Sequence, residues 1–148
     1  EARVMAIVVL IQIVSTFLLT GLSWYVQLVH YPLFHFVSAS EFHHFHKAHV
    51  TRTNVLVLTL LPIEIVTTCI TAVYGFPGLT HAQWILGGVL LLGICLLTMT
   101  VQMPLHTKLS AEKSEDNIEK LTRSHWIRTA LWSLRLALLC VCLLRYLR

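Results

Sequence analysis

VMAIVVLIQIVSTFLLTGLSWYVQLVHY, residues 4–31, is the stretch on which the fold turns. A bilayer core about 30 Å thick is crossed by roughly 20 mostly apolar residues in a helix, so this segment is long enough to span with some tilt. Pro32 ends it, because proline cannot continue the backbone hydrogen-bond ladder. Its apolar run is about twice that of a secretory leader and lacks a basic lead-in beyond Arg3, so it reads as a retained span. Three further stretches of the same kind follow, at 50–74, 82–105 and 124–147. The expected fold is therefore all-α: a single domain over 1–148, an integral membrane antiparallel four-helix bundle.

Composition agrees with that reading. Of 148 residues, 56% are hydrophobic and only 12% charged, too apolar for an ordinary soluble domain. Pro62 falls inside the second span, where a kink is expected. Gly75-Phe76-Pro77-Gly78 closes that span, and Gly87, Gly88 and Gly93 give the third a face that another helix could approach closely. Ser38-x-x-Glu41 matches a helix-capping box, so the second helix can start well before its apolar part. Residues 110–123, between the third and fourth spans, read as a short surface helix. Cys69, Cys95, Cys140 and Cys142 all lie in spans and read as small packing residues. No internal repeat and no low-complexity tract is evident.

The formal charge of +4 is a topology signal once its carriers are placed. Lys47, Arg52, Lys108, Lys113, Lys120 and Arg123 flank the two polar connections, against Arg3, Arg145 and Arg148 at the other side. By the positive-inside tendency the two polar connections face the cytoplasm, and a bacterial inner membrane is the expected location. The lipid bilayer is the partner this implies, and nucleic acid is not.

The histidines carry the chemistry. His30 ends the first span, His43, His44, His46 and His49 open the second, His106 ends the third, His125 opens the fourth, and His35 lies in the first connection. In an up-down-up-down bundle those eight share one end, and only His81 lies at the other. Residues three and four apart share a helix face, which pairs His46 with His49 and turns His43 and His44 elsewhere. His30, His46, His49 and His125 are accordingly the candidate metal ligands, with Phe42 and Phe45 beside the pair to exclude water. Neutral imidazole suits iron, copper or zinc, and the spacing does not choose among them. A haem held by His30 or His49 with His125 is the less favoured version. Gln27 and Arg128 project at the same end and are the candidate catalytic residues, positioning oxygen or substrate.

Two charges lie deeper. Glu64 and Arg135 sit near the middles of the second and fourth spans, where an unpaired charge costs several kcal/mol, so each is the natural partner of the other. Glu64 is ~22 Å along the helix from His49 at 1.5 Å per residue, too far to share its metal.

The string His30-Tyr31-Pro32-Leu33-Phe34, followed by Phe42, His49 and Glu64, resembles a group of uncharacterised small four-span bacterial membrane proteins. Pro104-Leu105-His106-x-x-Leu109 and Trp126-x-Arg128-Thr129 more distantly resemble the anthrone oxygenase-like membrane family, in which Pro-x-Asn is common where this chain has Pro104-Leu105-His106. That resemblance implies a four-helix fold with a pocket among the helix ends and, in some members, oxygenation of polycyclic phenols. Three expectations follow: a membrane metalloprotein, as an oxidoreductase or oxygenase acting on a lipophilic substrate; an accessory or structural subunit of a larger membrane complex or a homo-oligomer, docked through the glycine face of the third span; and a haem or tetrapyrrole-binding protein.

Overall fold

The computed structural model describes residues 2–148, and among them every long element is helical. Four helices are long and apolar enough to cross a membrane: α1 (Ala2–Phe36), α2 (Ala39–Tyr74), α3 (His81–Ala111) and α4 (Glu115–Tyr146). Helix α1 contacts α2 and α4, and α3 contacts the same two, so the four form a square in which α1 and α3 stand on a diagonal. This is an all-α four-helix bundle with the make-up of an integral membrane protein. Leu10, Phe17, Leu58, Val66, Leu92, Met99 and Leu144 are among the large apolar side chains that remain exposed, as a lipid-facing surface requires.

Each helix runs past its apolar segment. Ser38 caps α2 by accepting from the Glu41 backbone N–H, so the helix opens at Ala39, well before its apolar part, as the capping box suggests, and His46 and His49 lie on its second and third turns. Ser114 caps α4 in the same way through Asn117. The expected separate surface helix at 110–123 is therefore divided: its first residues finish α3 and the rest form the opening of α4. Lys113, in the short link, donates to the carbonyl of Val37 at 2.9 Å and ties one polar connection to the other. At the opposite end, the turn between α2 and α3 uses two glycines at positive φ, Gly75 at 67° and Gly78 at 105°. A Cβ on Gly78 would stand 2.5 Å from the Cys142 carbonyl oxygen, so only glycine fits there.

Mid-bundle, Glu64 and Arg135 pair as the sequence suggests. The guanidinium donates to one carboxylate oxygen from Nε at 3.0 Å and from Nη2 at 2.8 Å. The other oxygen accepts from Ser15 at 2.5 Å and Thr16 at 2.6 Å, both on α1. Arg135 also donates to the Gly87 carbonyl on α3 at 2.5 Å and to the Thr68 hydroxyl on α2. One ion pair thus joins all four helices, with both residues almost wholly buried. The glycines of α3 serve this packing. A Cβ on Gly87 would lie 3.4 Å from Arg135, on Gly88 3.7 Å from Thr68, and on Gly93 3.7 Å from Leu131. The face expected to dock a foreign subunit is occupied by α2 and α4 of the same chain.

Candidate functional site

Two interruptions in helix geometry shape the histidine-rich end. Val26–His30 in α1 and Thr98–Gln102 in α3 are π-helical, and each is followed by a proline, Pro32 and Pro104, early in the next turn. Proline supplies no N–H to the ladder, and single wide turns of this kind concentrate at functional sites. Their effect is to aim His30 and Tyr31 from α1, and Gln102 and His106 from α3, at one layer.

A local likeness in sequence accompanies the helix breaks. His49-Val50-Thr51-Arg52-Thr53 on α2 and His125-Trp126-Ile127-Arg128-Thr129 on α4 share the pattern His-x-x-Arg-Thr. In both, the histidine Nδ1 shares a hydrogen bond with the threonine hydroxyl one turn on, at 3.3 Å for His49 and Thr53 and 3.2 Å for His125 and Thr129.

Tyr31, buried, is the hub of the layer. Its ring contacts those of His125 (centroids 4.9 Å), His49 (5.9 Å) and His106 (6.0 Å). His30 stacks on His49 at 4.4 Å, and His49 lies 5.7 Å from His106 and 6.3 Å from His46. Phe34, Phe42, Leu105, Leu109, Ile118 and Leu121 close the layer off from the polar connections. These histidines are consequently not rim residues: His46 and His125 are buried almost completely and His49 is 8% exposed. His35, His43 and His44 remain exposed, His35 paired with Glu115 and His43 with the Ser110 carbonyl.

Hydrogen bonds fix which nitrogens are free. Gln27 donates from its amide nitrogen to the Thr122 carbonyl at 3.2 Å, which leaves its oxygen to accept from His125 Nδ1–H at 2.9 Å. His125 therefore keeps Nε2 bare, given that amide and ring assignments follow the hydrogen-bond network. Ser110 spends its one proton on the His106 carbonyl at 2.9 Å, so its oxygen accepts from His46 Nδ1–H at 3.2 Å. With one proton per ring, His46 Nε2 then accepts from His106 Nδ1–H at 3.0 Å, and His106 Nε2 accepts from the Tyr31 hydroxyl at 3.1 Å. Tyr31, His106 and His46 thus all point their protons the same way, toward exposed Ser110, whose own proton leaves the chain for the His106 carbonyl.

Of the four expected metal ligands, His30, His46 and His49 come together. His125 does not join them, because it stands against Tyr31 with its Nδ1 on Gln27. His106 takes that place, at 5.2 Å from His46 by ring centroids. Among the described residues, no three His, Cys, Asp or Glu side chains already stand in a metal-ligating arrangement. Gln27, expected to touch substrate, instead orients His125. Arg128 lies three residues beyond His125 on α4, on the same face, and makes no ion pair with the described residues. Beside His49 a cleft of about 510 Å³ is lined by His30, Phe45, Arg52 and Thr53 with Glu41 and His44 at its mouth. No family model, curated protein or solved structure matches this chain.

Proposed function

We propose that the chain is a membrane metalloprotein, an oxidoreductase for a lipophilic substrate, in which His30, His46, His49 and His106 bind one transition-metal ion. The observation that carries this reading is the facing pair His46 Nε2 and His106 Nδ1, 3.0 Å apart. Two imidazoles bound to one ion at about 2.0–2.1 Å place their nitrogens ~3.0–3.4 Å apart, so a small rotation of both rings lets an ion replace the proton they share. Their outer nitrogens are already held, by Ser110 and by Tyr31, as the orienting partners of ligand histidines are. His30 Nε2 is buried and has no hydrogen-bond partner, and it stacks on His49, so a third and fourth donor lie alongside.

When bound, the ion supplies Lewis-acid or redox chemistry. The chain's own residues do the rest. With an ion on its Nδ1, His106 would carry its proton on Nε2, and the Tyr31 hydroxyl would accept there instead of donating. Phe34 and Phe42 exclude water, while Arg128 and His125 face the layer from α4. An ion is favoured over haem because the Tyr31 ring occupies the space between His49 and His125 in which a macrocycle would lie. The excess of basic residues beside the two polar connections favours a cytoplasmic histidine-rich end in a bacterial inner membrane.

The test is metal analysis with an absorption spectrum of the detergent-purified protein. About one equivalent of iron, copper or zinc without a Soret band is expected, lost in His46→Gln and in His106→Gln and kept in His125→Gln. Full occupancy in both of the first two variants would show that the pair is not the site.

A further inference from the structure

Buried donors without acceptors mark a second feature of this end. Arg128 Nε and Trp132 Nε1 are both buried and both lack a hydrogen-bond partner. They lie four apart on α4, hence on one face and within reach of a common group. Trp132 itself is 2% exposed, whereas Arg128 keeps part of its side chain accessible. None of the ion pairs among the described residues includes Arg128. Its neighbours cannot supply the missing charge. The Tyr31 hydroxyl is spent on His106, His125 is held by Gln27, and Cys95 is a free thiol.

The comparison with Arg135 shows that this is not the default on α4. Seven residues on, along the same face, Arg135 is saturated by Glu64, Thr68 and the Gly87 carbonyl. Arg52, in the same His-x-x-Arg-Thr pattern on α2, is exposed and can be solvated, while Arg128 is half-buried with no counter-ion among the described residues. Arg128 thus has a buried Nε–H without an acceptor and a charge without a counter-ion among the described residues, and the planar fork of a guanidinium matches a carboxylate bidentately. Gln102 Oε1, an orphan acceptor on the facing helix α3, adds a place for a ligand hydroxyl or N–H.

The geometry points to a binding site for a lipophilic carboxylic acid, whose carboxylate accepts from the Arg128 guanidinium and the Trp132 indole N–H. The hydrocarbon part is required by the setting, since the flanking positions on α3 and α4 are apolar and the helices are membrane-spanning. The inference rests on the proposed function in that it names the substrate class of the same membrane site, but the binding step needs no metal.

The experiment is therefore run on metal-stripped and on metal-loaded full-length protein in micelles, with radiolabelled oleate as the probe and empty micelles subtracted. Saturable binding of about one oleate per chain is expected in both preparations, displaced by unlabelled oleate and not by methyl oleate or oleyl alcohol. Arg128→Gln should weaken it by about tenfold or more, the worth of a charged hydrogen bond, with Arg128→Lys in between. Trp132→Phe, which deletes only the N–H and its ring edge, should weaken it several-fold, and Arg52→Gln should not change it. Displacement by phosphatidylglycerol as well would identify bilayer lipid as the source of the anion, with Arg128 still its partner. Equal competition by methyl oleate, or unchanged oleate affinity in both Arg128→Gln and Trp132→Phe, overturns the assignment. Metal content is measured on the same samples, so loss of the metal reading and loss of this one are separately visible.

Discussion

Two polar layers cross this apolar bundle, and they are built on opposite rules. In the Glu64–Arg135 layer every buried side-chain group has a partner, drawn from all four helices. In the histidine layer and at its border, His30 Nε2, Gln102 Oε1, Arg128 Nε and Trp132 Nε1 are buried with none. A saturated buried network specifies and stabilises a packing, whereas unsatisfied buried groups lower stability and are kept where something else must bind. The first layer is a lock, and the second is the place of the proposed site.

That contrast breaks first at the lock. Glu64→Gln strands the Arg135 guanidinium in a dry interior, and a loss of about 3–5 kcal/mol is expected. Adding Arg135→Leu should recover part of it, because no buried charge is then left uncompensated. Thermal unfolding in detergent measures both, and additive losses in the double variant would mean the two side chains do not interact. A smaller effect is expected at the edge of the same network. Ser15→Ala leaves the charge pair intact and removes one donor to Glu64, a loss of about 1–3 kcal/mol by the same assay.

The site should respond in the reverse sense, strongly in occupancy and weakly in stability. His106→Gln can keep a hydrogen bond to Tyr31 or His46 and should shift the unfolding midpoint little, yet abolish metal binding. Ligand imidazoles must be unprotonated, so in the wild type occupancy is expected to be full at neutral pH and to fall once acidification protonates the rings. Full occupancy at a pH where the histidine nitrogen chemical shifts show these rings protonated would argue that the histidines are not the ligands.

Legibility in the sequence divides along the same line as the two layers. The spans and the Glu64–Arg135 pair could be read because membrane length, apolarity and the cost of a lone buried charge act on single residues or on short runs. The early start of α2 is legible in the Ser38-x-x-Glu41 cap, whereas α4 begins with polar turns whose only local sign is a cap at Ser114, so its opening reads as part of a separate surface helix. His106 escaped assignment to the metal set because its partner His46 lies on a different helix, and the π-turns that aim Tyr31 and His106 have no simple residue signature. The Thr53 and Thr129 contacts do have a local sign, because His49-x-x-Arg52-Thr53 and His125-x-x-Arg128-Thr129 each set a threonine one helical turn after a histidine.

The smallest expected effect tests that orientation. Gln27 is bonded at both ends of its amide, to the Thr122 carbonyl and to His125 Nδ1, and so selects the His125 tautomer with the proton on Nδ1. Gln27→Leu keeps the volume roughly and removes both bonds. Thr129 still shares a contact with Nδ1 at 3.2 Å, but a hydroxyl can donate or accept and enforces neither tautomer. The stability loss should be about 1 kcal/mol, near the limit of an unfolding measurement. The nitrogen chemical shifts of labelled histidine are the better readout. In the wild type His125 should give one set with Nδ1 protonated, and in Gln27→Leu a mixture of the two tautomers. In metal-free protein His49, whose Nδ1 has only Thr53, should show that mixture with or without the substitution. A single Nδ1–H form at His125 after the substitution would mean that Thr129 sets the tautomer and that Gln27 does not.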